Sequence, residues 1–145
     1  MIKPKITPEY KFRLHISKKH FGLGGYFIVN IWSKKKLMQE AVNHTSHAST
    51  TFSTTPSGND SKIITLNFWK KRLGIEYVIH ELMHAMLEWA RCNGLNVQYY
   101  EDKFYRDEEL FSQISGELSK QFYRKLFRLG LTEQTDFVES REFRK

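Results

Sequence analysis

The chain has 145 residues, 40% of them hydrophobic and 14% aromatic, with 23 Lys and Arg against 16 Asp and Glu for a formal net charge of +7. That length supports one sizeable core, so a single domain over 1–145 is expected. The longest apolar runs fall well short of the roughly eighteen residues a membrane helix needs, and the opening Met1-Ile2-Lys3-Pro4-Lys5-Ile6 lacks the apolar centre of a secretory signal.

A sheet-rich part is predicted over about 10–70. Phe12-Arg13-Leu14-His15-Ile16 alternates apolar and polar residues as a half-buried strand does, and Tyr26-Phe27-Ile28-Val29-Asn30-Ile31-Trp32 has strand propensity at nearly every position. Gly22-Leu23-Gly24-Gly25 between them marks a turn; without a lysine and a following helix in order it is not a phosphate loop. A short helix is expected over 34–42 after a Ser33 cap, then strands over 50–54 and 62–68 flanking the turn chemistry of Pro56-Ser57-Gly58-Asn59-Asp60. His44 and His47 share a loop but have no nearby carboxylate in sequence, so a second metal there is disfavoured.

From Ile75 the apolar residues Val78, Ile79, Leu82, Met83, Met86 and Leu87 recur every three or four positions, predicting a helix over 75–92 with Gly74 before it and an Asn93-Gly94 cap after it. This helix carries His80-Glu81-Leu82-Met83-His84. Positions four apart differ by only about 40° around a helix axis, so His80 and His84 project from one face and can hold one metal ion together. Neutral imidazole is a favoured ligand of Zn²⁺, and Glu81 is placed to reach a water on the metal without itself being a ligand. Cys92, the single cysteine, lies two turns beyond His84 and is expected to be a half-buried structural thiol, consistent with a reducing, cytoplasmic setting.

A catalytic zinc needs a third protein ligand and one open position. A second helix is predicted from Asp107-Glu108-Glu109 onward, with Leu110, Phe111, Ile114, Leu118, Phe122, Leu126 and Phe127 as its apolar pattern; the metal-binding helices thus span about 75–130. Glu109 is the favoured third ligand, Glu108 the alternative, and Asp107 the helix cap. Gly116 would allow a neighbouring backbone to approach closely.

The first motif, followed by Glu109-Leu110-Phe111-Ser112, resembles the zincin superfamily, and within it the gluzincins, whose third ligand is a glutamate on a following helix. The match covers roughly 63–126. The resemblance implies an α+β domain: a small mixed or antiparallel sheet packed against the metal helix and a following long helix. It also implies Zn²⁺ on His80, His84 and Glu109, with Glu81 polarising the attacking water in a metallopeptidase that takes a protein or peptide substrate. By the same likeness, the strand at 63–68 would form an edge beside the cleft. The short chain is similar, too, to small zincin-like proteins of phages and mobile elements. It departs from thermolysin-like enzymes at Gln113, where they carry an aspartate that orients a histidine ligand, and no third histidine follows His84. No oxyanion-stabilising residue is singled out among Tyr99, Tyr100, Tyr105 and Tyr123.

Charge is the other functional lead. Lys18-Lys19, Lys34-Lys35-Lys36 and Lys70-Lys71-Arg72 are spread along the chain, and the ending Arg141-Glu142-Phe143-Arg144-Lys145 marks 131–145 as a basic tail. Nucleic acid is therefore a candidate partner through counterion release, although no nucleic-acid-binding motif accompanies these runs. Two classes of function follow: a zinc peptidase, and a catalytically silent zincin-shaped module that binds a host protein or nucleic acid.

Overall fold

The computed structural model describes residues 7–42, 48–54, 62–95, 97 and 105–131. In chain order the elements are β1 (Tyr10–Ile16), α1 (Lys18–Phe21), β2 (Gly25–Trp32), α2 (Lys35–Val42), β3 (Ala48–Thr54), β4 (Lys62–Trp69), α3 (Ile75–Cys92) and α4 (Tyr105–Arg128). The four strands form one sheet in the order β1-β2-β4-β3. β2 and β4 are parallel, while β1 and β3 join them antiparallel on either side, so the α+β domain has a mixed sheet.

Strand periodicity creates the core. Alternate side chains of a strand point to one face, which here gathers Phe12, Leu14 and Ile16 with Phe27, Val29, Ile31, Ile64, Leu66 and Phe68. Val78, Leu82, Ala85, Met86 and Trp89 of α3 cover this surface, together with Ile114, Leu118, Phe122 and Leu126 of α4. Phe122 joins the layers by meeting Phe12 and Phe68 edge-on, at centroid distances of 5.6 and 5.4 Å. On the opposite face, α2 packs on β2 and β4 with Met38 fully buried. There Asn67 Oδ1 accepts from Trp32 Nε1 at 3.1 Å and from Asn30 Nδ2 at 3.2 Å, which offsets the cost of burying the amide.

Several sequence expectations change. α1 was not anticipated: Ser17 Oγ accepts from the His20 N–H, and Gly22 ends the turn at φ 83°, a backbone region that favours glycine. β4 is interior, bonded to β2 on one side and β3 on the other, so the strand at 63–68 has no free edge for a peptide; β1 and β3 are the edge strands. α4 begins at Tyr105, which puts Asp107 inside its first turn rather than at the cap. Gly116 is exposed, and among the described residues no backbone approaches the place where its Cβ would lie. Cys92 is exposed, not half-buried.

The predicted bounds of α3 hold, including Gly74 before it and Asn93 as its cap, but its buried stripe is rotated. Ile75, Met83 and Leu87 are 36%, 40% and 45% exposed, whereas Glu81 is 7% exposed. The reason is geometric: the covered arc of this helix is set by Val78, Leu82, Ala85, Met86, Trp89 and Ala90 against two neighbouring layers, and Glu81 borders it next to Ala85. Trp89 locks the far end, its Nε1 donating to the Gly24 carbonyl at 3.2 Å. A Cβ at Gly25 would lie 2.9 Å from that indole nitrogen, so the start of β2 requires glycine.

Candidate metal centre

His80 and His84 emerge from the exposed side of α3, one turn apart. Their Nε2 atoms lie 3.2 Å from each other, and the ring centroids are 4.8 Å apart at 78°. Both rings thus present the same nitrogen to one point. One Nε2–H can donate to the other when the two neutral rings adopt opposite tautomers. Two nitrogens bound to one tetrahedral zinc at roughly 2.0–2.1 Å would be about 3.3 Å apart, so the observed spacing fits a shared cation.

Glu81 faces a different way. It turns about 100° from His80, toward the sheet, where β3 meets α3. The Thr50 hydroxyl donates to Glu81 Oε2 and also lies 3.1 Å from the Glu81 backbone carbonyl. A hydroxyl has one proton for two acceptors, and the carboxylate is the stronger of them. Thr50 therefore anchors the buried acid to an edge strand. Nothing in the motif points to this partner, which is 31 residues away in sequence; β3 only meets α3 after the sheet has assembled.

The third proposed ligand stands apart. Glu109 is exposed on α4, where its Oε1 accepts from Gln113 Nε2 at 3.1 Å. Glu108 and Asp107 lie on the same first turns of α4. Farther along that helix, Tyr123 feels the Glu76 carboxylate, one turn before His80. Fourteen residues of α-helix, about 21 Å, separate Tyr123 from Glu109. Among the described residues no three His, Cys, Asp or Glu side chains are grouped to hold a metal ion. Glu88, one turn beyond His84, is engaged by Arg91. His44, His47, Tyr99 and Tyr100 lie outside the described residues, as does the tail after 131.

Of the tyrosines, Tyr123 has a resolved environment. Burial pushes its phenol above the ordinary tyrosine range, and Glu76 adds to the shift. Among the described residues no helix is long and apolar enough to cross a membrane. Comparison of the chain with protein-family models, with curated proteins and with solved structures finds no match.

Proposed function

We propose that the chain is a zinc-dependent peptidase in which His80, His84 and Glu109 hold the metal and Glu81 is the general base. The observation that carries this reading is the convergence of the two Nε2 atoms at 3.2 Å on the helix that also carries the buried carboxylate of the same motif. Zinc held there would supply Lewis acidity to a scissile carbonyl and to an attacking water that must lose a proton. Glu81 takes that proton and returns it to the leaving amine. Thr50 occupies one carboxylate oxygen, which leaves the other to exchange the proton and limits rotation of the side chain. Because Glu109 stands apart from the histidines, its joining them requires the start of α4 to move toward α3 and the bond to Gln113 to break. A phage or mobile-element origin and a cytoplasmic setting belong to the same reading.

Metal analysis combined with peptide cleavage tests it. Purified protein is expected to bind one zinc, with loss of the metal in His80→Ala and Glu109→Ala but not in Glu108→Ala. Glu81→Gln should keep the zinc and lose about 10²–10⁴ in hydrolysis. Cleavage retained by Glu81→Gln would remove Glu81 from the mechanism. A wild-type protein that binds zinc yet cleaves no member of a peptide library would favour the silent binding module.

A further inference from the structure

The basic runs are dispersed, but the net charge is not. Residues 10–39 contain Lys11, Arg13, Lys18, Lys19 and Lys34 to Lys36 without a single Asp or Glu, so these seven charges equal the whole excess of +7. The rest of the chain balances at 16 basic against 16 acidic residues, and the tail at 131–145, expected to be basic, holds four acids and three bases. Folding then concentrates the charged segment on one side. It forms β1, α1, β2 and the first turn of α2, at the edge of the sheet farthest from β3.

Within β1 the parity that buries Phe12, Leu14 and Ile16 turns Lys11, Arg13 and His15 to the face opposite α3 and α4, and all three are exposed. Their register partners on β2 are Asn30, Ile28 and Tyr26. Tyr26 is 40% exposed, and the Arg13 guanidinium lies 4.7 Å from its ring centroid. Exposed Lys18 and Lys19 continue the band at one end of β1. There α1 and α4 border a recess of about 340 Å³, lined in part by His15, His20, Phe21 and Lys120. The acids nearest the band are already paired, Glu9 with Lys70 and Glu117 with Lys120. Gln121 bonds both the N–H and the carbonyl of His15, so the β1 backbone at that point is not open to an added strand.

From this juxtaposition we infer that the outer face of β1 and β2 binds single-stranded nucleic acid, with Lys11, Arg13, Lys18 and Lys19 on phosphates and a base stacked at Tyr26. A sheet face with a basic band and an exposed aromatic suits unpaired bases, whose faces are available; those of a duplex are buried in its own stack. Arg13 is poised to share the stacking, since a guanidinium plane packs on a base as well as on a phenol ring. The site is independent of the metal centre, which lies on the other side of the sheet.

Fluorescence anisotropy of the full chain with labelled oligothymidylate, and with a hairpin duplex of equal charge, tests the assignment across a salt series. Tighter binding of the single strand is expected. The Lys11→Gln, Lys18→Gln, Lys19→Gln triple variant should lower the slope of log affinity against log salt by about two, at roughly 0.7 per lost phosphate contact. Tyr26→Leu should weaken binding about tenfold with little change in that slope. Circular dichroism verifies that these surface variants stay folded, and the Arg124→Gln, Lys125→Gln, Arg128→Gln triple variant on the exposed side of α4 serves as a charge-matched comparison. Equal or tighter binding of the duplex, no binding at low salt, or a triple variant no weaker than the comparison would each overturn the inference.

Discussion

Glu81 is buried and carries a Thr50 hydroxyl on one oxygen, an arrangement that joins local chemistry to long-range packing. A hydrogen bond to an ionised, desolvated group is stronger than one between neutral partners, and removing its donor leaves the charge undercompensated. Thr50→Val keeps the side-chain shape and deletes the donor; it should cost about 1–3 kcal/mol in urea unfolding at neutral pH. An unchanged midpoint would mean that the hydroxyl does not hold the acid. Tyr123 gives a second test at this scale. Its phenol is held in the neutral form by burial and by Glu76, so its folded-state pKa is raised. The folded chain therefore retains a proton that the unfolded chain loses above about pH 10. The stabilisation is complete below that value and drains away as pH climbs toward the raised folded value. Tyr123→Phe should consequently flatten the alkaline decline in stability, followed as melting temperature against pH; an identical decline would count against the shift.

At the scale of elements, α3 and α4 hold the sheet through different contacts. α3 is tied at its C-terminal end by Trp89 to Gly24 and along its length by small and apolar residues, which brings its histidine-bearing side to the surface. α4 depends on four fully buried side chains one turn apart, Ile114, Leu118, Phe122 and Leu126. Phe122 is central because it touches both β1 and β4 by edge-on ring contacts. Phe122→Ala should cost about 3–5 kcal/mol, from lost transfer energy and the cavity left between three elements. Chemical denaturation would read this directly, and a loss below about 1 kcal/mol would show that the layers close over the gap. The 3.6-residue period of both helices was legible before folding, as were the alternating patterns of β1 and β2. The burial of Glu81 and the exposure of Ile75, Met83 and Leu87 were not, because they depend on which arc of α3 two other layers cover.

Over the whole molecule, the sheet separates two surfaces of different chemistry. Histidine donors face outward from α3 on one side, and Lys11 and Arg13 lie on the outer face of β1 on the other. If zinc binds the folded chain and not the unfolded one, it must stabilise the fold by mass action, at about 2.7 kcal/mol when free metal is a hundredfold above its dissociation constant. Thermal unfolding should therefore shift upward with added zinc and return with chelator, and the shift should vanish in His80→Ala. A zinc-independent melting temperature would argue against a metal centre in the native state.

The amino-acid sequence by itself determined the longer elements and the side-by-side histidines, since both follow from the period of a helix or strand and need no distant partner. It also contained the confinement of net charge to 10–39, visible only when acids and bases are counted together. Tertiary structure alone decided that β4 is interior and β3 an edge, that Thr50 holds Glu81, and that Glu109 stands apart from His80 and His84. Strand order and contacts across tens of residues arise from packing one layer on another, and no local pattern encodes them.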